Sequence, residues 1–200
     1  MKNFISELIC TRISHDLIGN IGATSNAVEL MEDGDMDILE DVKNILKTSS
    51  FNLLARMKFF RLTFGLDNKN LEDITLVKQI ANDYLSSLGS DTSSITLDFS
   101  IETPSYIKSA LTLLMICADL IIRDGSIKIF NQSNQIFATV SKQQRLSIDK
   151  IAKIDAIING NTDYIDANSA PLAFLIEKHG NKSIKIFDNE DNYCINLTME

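Results

Sequence analysis

The chain has 200 residues, of which 44% are hydrophobic and 23% are charged, and its formal net charge is −8 at pH 7. This apolar content provides for one sizeable core or two modest ones and argues against a disordered chain. The acidic balance argues against direct binding to nucleic acid, which needs clustered Lys and Arg to replace the counterions of the phosphates.

The cysteines and the longest apolar run predict a cytoplasmic protein. Cys10, Cys117 and Cys194 are odd in number, widely spaced and set among apolar residues. This pattern is typical of reduced core thiols and indicates neither a disulfide framework nor a metal site. Residues 110–122 form the longest apolar stretch, but they include Asp119 and are too few to span a bilayer. The N-terminus lacks the apolar run of a signal peptide.

The first part of the chain predicts a helical hairpin. Helical periodicity predicts one helix over residues 3–32 and a second over residues 36–64, with a turn at Asp33-Gly34-Asp35 and Gly65 as the C-cap. The second helix carries a seam at alternating steps of three and four, formed by Leu39, Val42, Leu46, Ser49, Leu53, Met57, Phe60 and Phe64. Two helices alone cannot bury stripes of this width. We therefore expect a homodimer that completes a four-helix bundle.

A second domain is predicted over residues 67–200, following a hairpin domain over residues 1–66. Alternating patterns predict further helices over residues 71–88, 105–122, 148–158 and 170–178. Strands are predicted over residues 95–101, 126–131, 135–141, 183–187 and 192–198. Helices interleaved with several antiparallel strands predict an α/β sandwich with one helical layer, so the fold class of the whole chain is α+β. Phe59, Phe60 and Phe64 are expected to pack in a core or between the domains.

His15 is predicted to lie on the solvent side of the first helix. At about 100° per residue, the apolar positions fall on the opposite side; they are Ile9, Ile13, Leu17, Ala27, Val28 and Met31. The residues within about 40° of His15 are mostly small or polar, namely Leu8, Thr11, Gly19, Gly22, Asn26 and Glu29. An imidazole with open space around it suits chemistry with another protein.

The hairpin resembles a known family in two segments. Thr11-Arg12-Ile13-Ser14-His15-Asp16-Leu17, with its flanking residues 8–10, 21–23 and 27–31, and a closing segment over residues 56–65 match in order and spacing. They are similar to the ChpT-type histidine phosphotransferases of alphaproteobacteria. The resemblance covers about residues 4–65 and extends over the remainder by element order alone.

This resemblance implies a degenerate histidine kinase, in which a dimerisation and phosphotransfer hairpin precedes a domain with the kinase ATP-binding fold that no longer binds ATP. His15 would accept a phosphoryl group from the receiver domain of a hybrid histidine kinase and pass it to the receiver aspartate of response regulators. No cofactor of its own is implied, because the magnesium ion comes with the partner receiver.

The residues support the loss of ATP chemistry. Active kinases hold magnesium and phosphates with paired asparagines on a helix, and the matching helix here offers Leu113 and Cys117 at those positions. Neither side chain ligates a hard cation. The chain has 8 glycines, and residues 151–170 contain Gly160 without a glycine cluster for phosphates.

The neighbours of His15 each leave two interpretations open. Asp16 either orients the imidazole or removes its proton, or is a solvated surface carboxylate. Arg12 either meets phosphoryl oxygens or an acidic partner, or is an ordinary surface arginine. Gly19 and Gly22 either let a receiver helix approach closely or relieve packing within the bundle.

The other surface residues near His15 suggest a docking face for the receiver. Leu8 and Ile18 are candidates for an apolar docking contact, and Thr11 and Asn26 complete the predicted partner-binding strip. Arg56, Lys58 and Arg61 are suited to an acidic receiver, although a solvated face is favoured for any single one. Two alternatives to a phosphorelay intermediate remain, an ATP-dependent histidine kinase core and a non-catalytic dimeric adaptor for a response regulator.

Overall fold

Two long antiparallel helices open the computed structural model, which describes residues 2–32, 38–66, 69–89, 94–141 and 146–199. They are α1 (Lys2–Glu32) and α2 (Leu39–Phe64). The side chain of Asn52 donates to Asn20 across the pair at 3.4 Å. The predicted turn at Asp33-Gly34-Asp35 lies outside the described residues. Most of the predicted seam of α2 is buried or half-buried, whereas Met57 is exposed.

The remainder of the described chain combines helices with one sheet, which confirms the predicted α+β class. The helices are α3 (Ile74–Leu88), α4 (Ile107–Leu120), α5 (Ile148–Ile158) and α6 (Ala170–His179). The strands are β1 (Ile95–Ser100), β2 (Gly125–Gln132), β3 (Gln135–Ser141), β4 (Ile184–Asp188) and β5 (Asn192–Thr198). Short 3-10 turns occur at Lys69–Leu71, Pro104–Tyr106, Thr162–Tyr164 and Asn181–Ser183.

The sheet is mixed, in the order β1-β2-β3-β5-β4. β2 pairs antiparallel with β3, β3 with β5, and β5 with β4. β1 runs parallel to β2, with Ile95 opposite Gly125, because α4 carries the chain back across the sheet between them. The sequence prediction named only antiparallel strands, and a pattern within single strands does not determine this direction.

Two predicted helices begin later than expected for local reasons. The helix predicted from residue 71 begins at Ile74, where the Asp73 side chain accepts a hydrogen bond from the Leu76 backbone N–H at 3.0 Å. The helix predicted from residue 105 begins at Ile107 after a 3-10 turn that starts at Pro104. Both starts are therefore determined by the residues that precede the helix rather than by the apolar period.

One continuous hydrophobic core joins the C-terminal end of α2 to the sheet and its helices. Phe59 stacks on Tyr84 with their ring centroids 3.8 Å apart, and Phe60 meets the same tyrosine edge-on. Phe64 packs edge-on against Phe174 of α6. The expectation that these phenylalanines are packing residues is confirmed. They pack the C-terminal end of α2 against α3 and α6.

The cysteines are free, and two of the three are buried. Cys117 and Cys194 lie in the core, whereas Cys10 is exposed, so its predicted place in a core is wrong. Burial raises the pKa of the Cys117 and Cys194 thiols, which favours their protonated, unreactive form. Among the described helices, none is both long enough and apolar enough to cross a membrane.

Gly65 ends α2 as predicted, and its role is a close backbone approach. Its N–H donates to the Arg61 carbonyl at 3.0 Å, and its own carbonyl accepts a hydrogen bond from Lys108 at 2.5 Å. A Cβ at this position would lie 2.2 Å from the Arg61 carbonyl oxygen. The backbone here is extended, with φ −70° and ψ 162°, so space rather than conformation requires glycine.

We expect Gly65→Ala to lower the free energy of unfolding by about 1–3 kcal/mol, because backbone must move to admit the methyl group. Gly22→Ala is the matched control. A Cβ at Gly22 meets nothing within 4 Å, and alanine favours a helix interior over glycine by about 0.5–1 kcal/mol, so this variant should gain stability. Urea unfolding of both variants measures whether each substitution lowers or raises the free energy of unfolding. Equal stability of Gly65→Ala and the unmodified chain would contradict the close approach.

Candidate functional site

His15 projects from the middle of α1 into solvent, as predicted from the helical period. Its side chain is 78% exposed, and its Nδ1 lies 3.6 Å from Oδ1 of Asp16. Nε2 is the ring nitrogen that Asp16 does not engage. An exposed imidazole with one nitrogen facing a carboxylate is suited to nucleophilic or proton-transfer chemistry with a visiting molecule.

Asp16 is held from two sides and is not a solvated carboxylate. Its side chain is 12% exposed, and Oδ2 accepts a hydrogen bond from Arg12 Nε at 2.8 Å. The backbone carbonyl of Asp16 accepts a further hydrogen bond from Arg56 at 2.5 Å. The interpretation of Asp16 as an ordinary surface residue is therefore wrong, and its other carboxylate oxygen faces His15.

Arg12 connects α1 to the sheet-bearing part of the protein. Its side chain is 8% exposed. Besides Asp16, it donates to Asp119 Oδ1 of α4 at 2.8 Å and to the Asn168 carbonyl at 3.3 Å. The interpretation of Arg12 as an ordinary surface arginine is wrong, and any contact with a partner's phosphoryl group would require it to leave one of these acceptors.

The guanidinium of Arg12 remains charged in this setting. Burial acts against its charge, but the hydrogen bond and attraction of Asp119, and then those of Asp16, hold its pKa above the ordinary value. Arg12, Asp16 and Asp119 thus form a buried cation between two carboxylates, a geometry that the forked guanidinium suits. We call these three residues the Arg12 bridge.

Arg56 of α2 braces the same turn of α1. Its guanidinium donates to the Asp16 carbonyl and also to the backbone carbonyl and hydroxyl of Ser87, at 2.6 and 3.3 Å. The side chain therefore links α1, α2 and the end of α3. The preference for a solvated Arg56 is corrected by these contacts, whereas Lys58 and Arg61 are exposed.

A cleft of about 330 Å³ opens beside His15 between α1, α4, α5 and α6. Its lining includes the Arg12 bridge, Lys150, Lys153, Asn168 and Ser169. Lys150 donates to the Asp119 carbonyl at 2.6 Å, and Lys153 donates to the Asp166 carboxylate at 2.5 Å. In the ranges that the structure describes, no group of three or more His, Cys, Asp or Glu side chains converges on a metal site.

The predicted partner-binding strip lies along one side of α1. Thr11, Ile18, Gly19, Gly22 and Asn26 are exposed, and a Cβ on either glycine would meet nothing within 4 Å. The interpretation that the glycines relieve packing therefore has no contact within the described chain to support it. Leu8 is half-buried and packs towards a small cluster of Ile5, Ile9, Ala170 and Ala173 between α1 and α6.

Leu113 and Cys117 both lie in the core with no exposed surface. Neither residue lines the cleft beside His15, which α4 meets through Ile116, Asp119 and Leu120. Neither side chain therefore offers a ligand to this cleft.

Sequence reasoning missed the residues that come to His15 from other elements, chiefly Asp119, Lys150 and Asn168. Asp119 did carry a signal, since it is the single charged residue of the apolar helix α4 after Lys108. A carboxylate in such a helix needs a cation or hydrogen-bond donors to offset its desolvation. Its partner Arg12 is 107 residues away in sequence, and no local pattern identifies it.

Comparisons with known proteins identify one relative by sequence and others by structure. No family model matches the chain. The chain is similar to protein phosphotransferase ChpT of Brucella abortus (strain 2308), with 43% identity over 61 residues. That match spans 30% of this chain and 28% of the length of the relative.

A solved structure described as a bacterial phosphotransferase shares the fold over nearly the whole length. Its TM-score is 0.75 at 23% identity, with 98% of this chain and 96% of that chain covered. A histidine kinase of Acinetobacter baumannii, AdeS, is more distant, with a TM-score of 0.40 and 12% identity over 93% of this chain and 98% of that one.

The chain therefore shares the fold of the solved structure described as a bacterial phosphotransferase, a helical hairpin followed by a mixed sheet and its helices. The residues around His15 and at the end of the hairpin predict a ChpT-type protein, and the likeness to the Brucella phosphotransferase over 61 residues supports this resemblance.

The edge of the cleft yields a pH-dependent prediction. Burial opposes the charge of Asp166, but hydrogen bonds from Lys153 and Ser169 outweigh it and hold its pKa below the ordinary value. A depressed folded-state pKa stabilises the fold above the unfolded pKa of about 3.9, and this stabilisation is lost as the pH falls through the folded-state pKa.

We expect Asp166→Asn to lower the free energy of unfolding at pH 7 by up to about 1 kcal/mol, because the half-exposed ion pair with Lys153 is lost. The difference from the unmodified chain should shrink as the pH falls from 7 through the folded-state pKa of Asp166, because the carboxyl is then protonated in both the folded and the unfolded state. Urea unfolding across this range measures it. A difference that stays constant with pH would show that the amide changes packing rather than charge.

Proposed function

We propose that the protein is a histidine phosphotransferase of a bacterial phosphorelay, with His15 as the phosphoacceptor. The observation that carries the proposal is the exposed imidazole beside the held Asp16, on a helix whose neighbouring glycines leave the surface open. The likeness to the Brucella phosphotransferase supports it. The phosphoryl group would come from the receiver domain of a hybrid histidine kinase and go to the receiver aspartate of response regulators in the cytoplasm.

The transfer uses the ring nitrogen that Asp16 does not engage. The lone pair of Nε2 attacks the phosphorus of an aspartyl phosphate on the partner, an N–P bond forms, and the acyl P–O bond breaks to leave the partner's carboxylate. When Nε2 bonds to phosphorus, a positive charge develops on the ring, which carries its proton on Nδ1. Oδ1 of Asp16 either stabilises this Nδ1 proton or accepts it. In the second transfer, the aspartate carboxylate of another receiver attacks the phosphorus, a P–O bond forms, and the N–P bond to Nε2 breaks.

The partner supplies the remaining chemistry. A receiver domain brings the magnesium ion that neutralises the equatorial oxygens, so this chain needs no metal of its own. Alignment is then the main contribution of α1. Gly19 and Gly22 allow a receiver helix to lie close to the backbone, and Ile18, Leu8, Thr11 and Asn26 provide apolar and polar contacts around it. Arg12 is buried in this scheme and acts on Asp16, to which it donates a hydrogen bond.

We also propose that the protein does not phosphorylate itself from ATP. Leu113 and Cys117 are apolar or soft side chains, and both are buried away from the cleft. No residue at either position is suited to magnesium or triphosphate. The phosphoryl group therefore has to arrive on another protein.

His15→Gln should abolish phosphotransfer while leaving the fold and oligomeric state unchanged, because the exposed ring makes no packing contribution that glutamine lacks. The measurement is the labelling of the chain by each receiver domain of its genome, prepared as the aspartyl phosphate, followed by chase onto the other receivers. His179→Gln is the matched control, and it should transfer normally.

Three other outcomes would contradict the proposal. Labelling of His15 from ATP without a receiver would identify an ATP-dependent kinase. Tight receiver binding by the unmodified chain, with no label transferred to it from any receiver, would identify an adaptor. Unchanged transfer by His15→Gln would move the phosphoacceptor elsewhere.

A homodimer through a four-helix bundle is the second part of the proposal. Large apolar side chains away from the proposed receiver contact are exposed along both helices of the hairpin in the single chain: Ile21, Val28, Leu30, Met31, Ile45, Phe51, Leu54 and Met57. Val28 and Met31 belong to the apolar stripe predicted for α1, and the single chain leaves them exposed. An apolar surface of this extent is typical of an interface, and a second hairpin would cover it.

We expect the unmodified protein to behave in solution as a dimer of about twice 22.3 kDa. Leu54→Glu, at a side chain 55% exposed on the hairpin, should shift it towards the monomer because a charge would be buried in the interface. Ile122→Glu, at a side chain 49% exposed outside the hairpin, is the matched control and should leave the dimer intact. Sedimentation velocity measures both. A monomeric unmodified protein would remove this part of the proposal.

A further inference from the structure

We infer that Arg12 and Asp119 are positioning residues for His15: Asp119 of α4 anchors Arg12, Arg12 holds one oxygen of Asp16, and the other oxygen is thereby aimed at Nδ1 of the imidazole. This inference rests on the proposed phosphotransfer at His15 and deepens it. It assigns to the sheet-bearing part of the chain a role in the geometry of a nucleophile that lies on another element.

The contact between His15 and Asp16 needs an external support. Adjacent residues on a helix project about 100° apart, so residues i and i+1 do not face each other. Nδ1 of His15 and Oδ1 of Asp16 are nevertheless 3.6 Å apart. Asp16 therefore has to be held in one orientation, and the hydrogen bond from Arg12 Nε to its other oxygen does so at 2.8 Å.

Arg12 is itself held by the opposite wall of the cleft. One terminal nitrogen reaches Asp119 Oδ1 at 2.8 Å and the other reaches the Asn168 carbonyl at 3.3 Å, so each of its three nitrogens has an acceptor. An arginine on an isolated helix would lose side-chain entropy if it were fixed in this one orientation. With Asp119 and Asn168 in place, the orientation is built into the fold.

The anchor is itself rigid. Asp119 lies in the last turn of α4, whose other side chains from Ala110 to Leu120 are buried in the core. Its backbone carbonyl accepts a hydrogen bond from Lys150 of α5 at 2.6 Å. The backbone of Asp119 is therefore held by the core packing of α4, and substitution of its side chain removes one acceptor of Arg12.

The first test observes the imidazole in the free protein and needs no partner. The chain has two histidines, so ¹⁵N-histidine NMR of His179→Gln reports His15 alone. At about pH 8.5, above the ordinary titration range of imidazole, a carboxylate at Nδ1 favours the Nδ1–H tautomer. We expect this tautomer to predominate and to lose population in Asp119→Ala and in Arg12→Lys, which has no fork.

The second test measures the transfer rate from the receiver domain that labels the unmodified chain fastest. Asp119→Ala should slow transfer about tenfold, because small misplacements of a reacting group cost about that much or more. The affinity for the receiver should stay within about twofold. In an Asp16→Asn background, Asp119→Ala should slow transfer no further, since Asp119 acts through Asp16.

Asp98→Asn is the matched control, since it removes a carboxylate that pairs with a surface lysine far along the sheet. It should change neither the tautomer nor the rate. If Asp119→Ala does not fold, the nearly isosteric Asp119→Asn and Arg12→Lys decide by the same measurements. Unchanged tautomer populations in the folded variants would overturn the inference, and so would an additive loss of rate in the double variant.

The two tests separate this inference from the proposed function. Transfer to His15 with a tautomer and rate insensitive to Asp119 would remove the positioning role and leave the phosphotransferase intact. Absence of transfer from every receiver, together with a tautomer that responds to Asp119, would remove the phosphotransferase and leave the positioning role.

Discussion

The Arg12 bridge is the constraint on which the arrangement around His15 depends. It places one guanidinium between carboxylates from α1 and α4, largely out of water. Buried ion pairs of this kind recover their desolvation cost only when the geometry is good and few donors are left unpaired, so their contribution to net stability is small. Such pairs favour one position of the helices over shifted alternatives, because a shifted helix would leave a buried charge without a partner. The bridge thus adds a polar link between α1 and α4 to the aromatic core that joins α2 to α3 and α6.

The proposed chemistry follows from a division between rigid and open surfaces. On the inner side of α1, Arg12 and Arg56 fasten the turn that contains Asp16. On the outer side, His15, Gly19 and Gly22 have no covering layer in the described part of this chain. A nucleophile that reacts with a protein-bound phosphate needs both conditions, since its orientation has to be fixed and its approach has to be free. The open side forgoes helix stability at two glycines to keep that approach clear.

Local regularities account for what could be predicted from the sequence. The exposure of His15 follows from the apolar period of α1, and the end of α2 at Gly65 follows from helix-capping preferences. The strand bounds follow from the alternating pattern of side chains and agree with the observed strands to within one residue. The parallel pairing of β1 with β2 and the ion pair between Arg12 and Asp119 could not be predicted, because each depends on how distant segments meet.

The stacking of Phe59 on Tyr84 has a consequence for how far the two helices can be regarded as a separable module. Phe59, Phe60 and Leu62 belong to the same core as the sheet and its helices. Excising the hairpin would expose this apolar end to water and would leave Tyr84 without its ring partner. Grafting these two helices onto a foreign protein would therefore require the first helix that follows them to travel with them. A grafted hairpin without that helix would need another aromatic partner for Phe59.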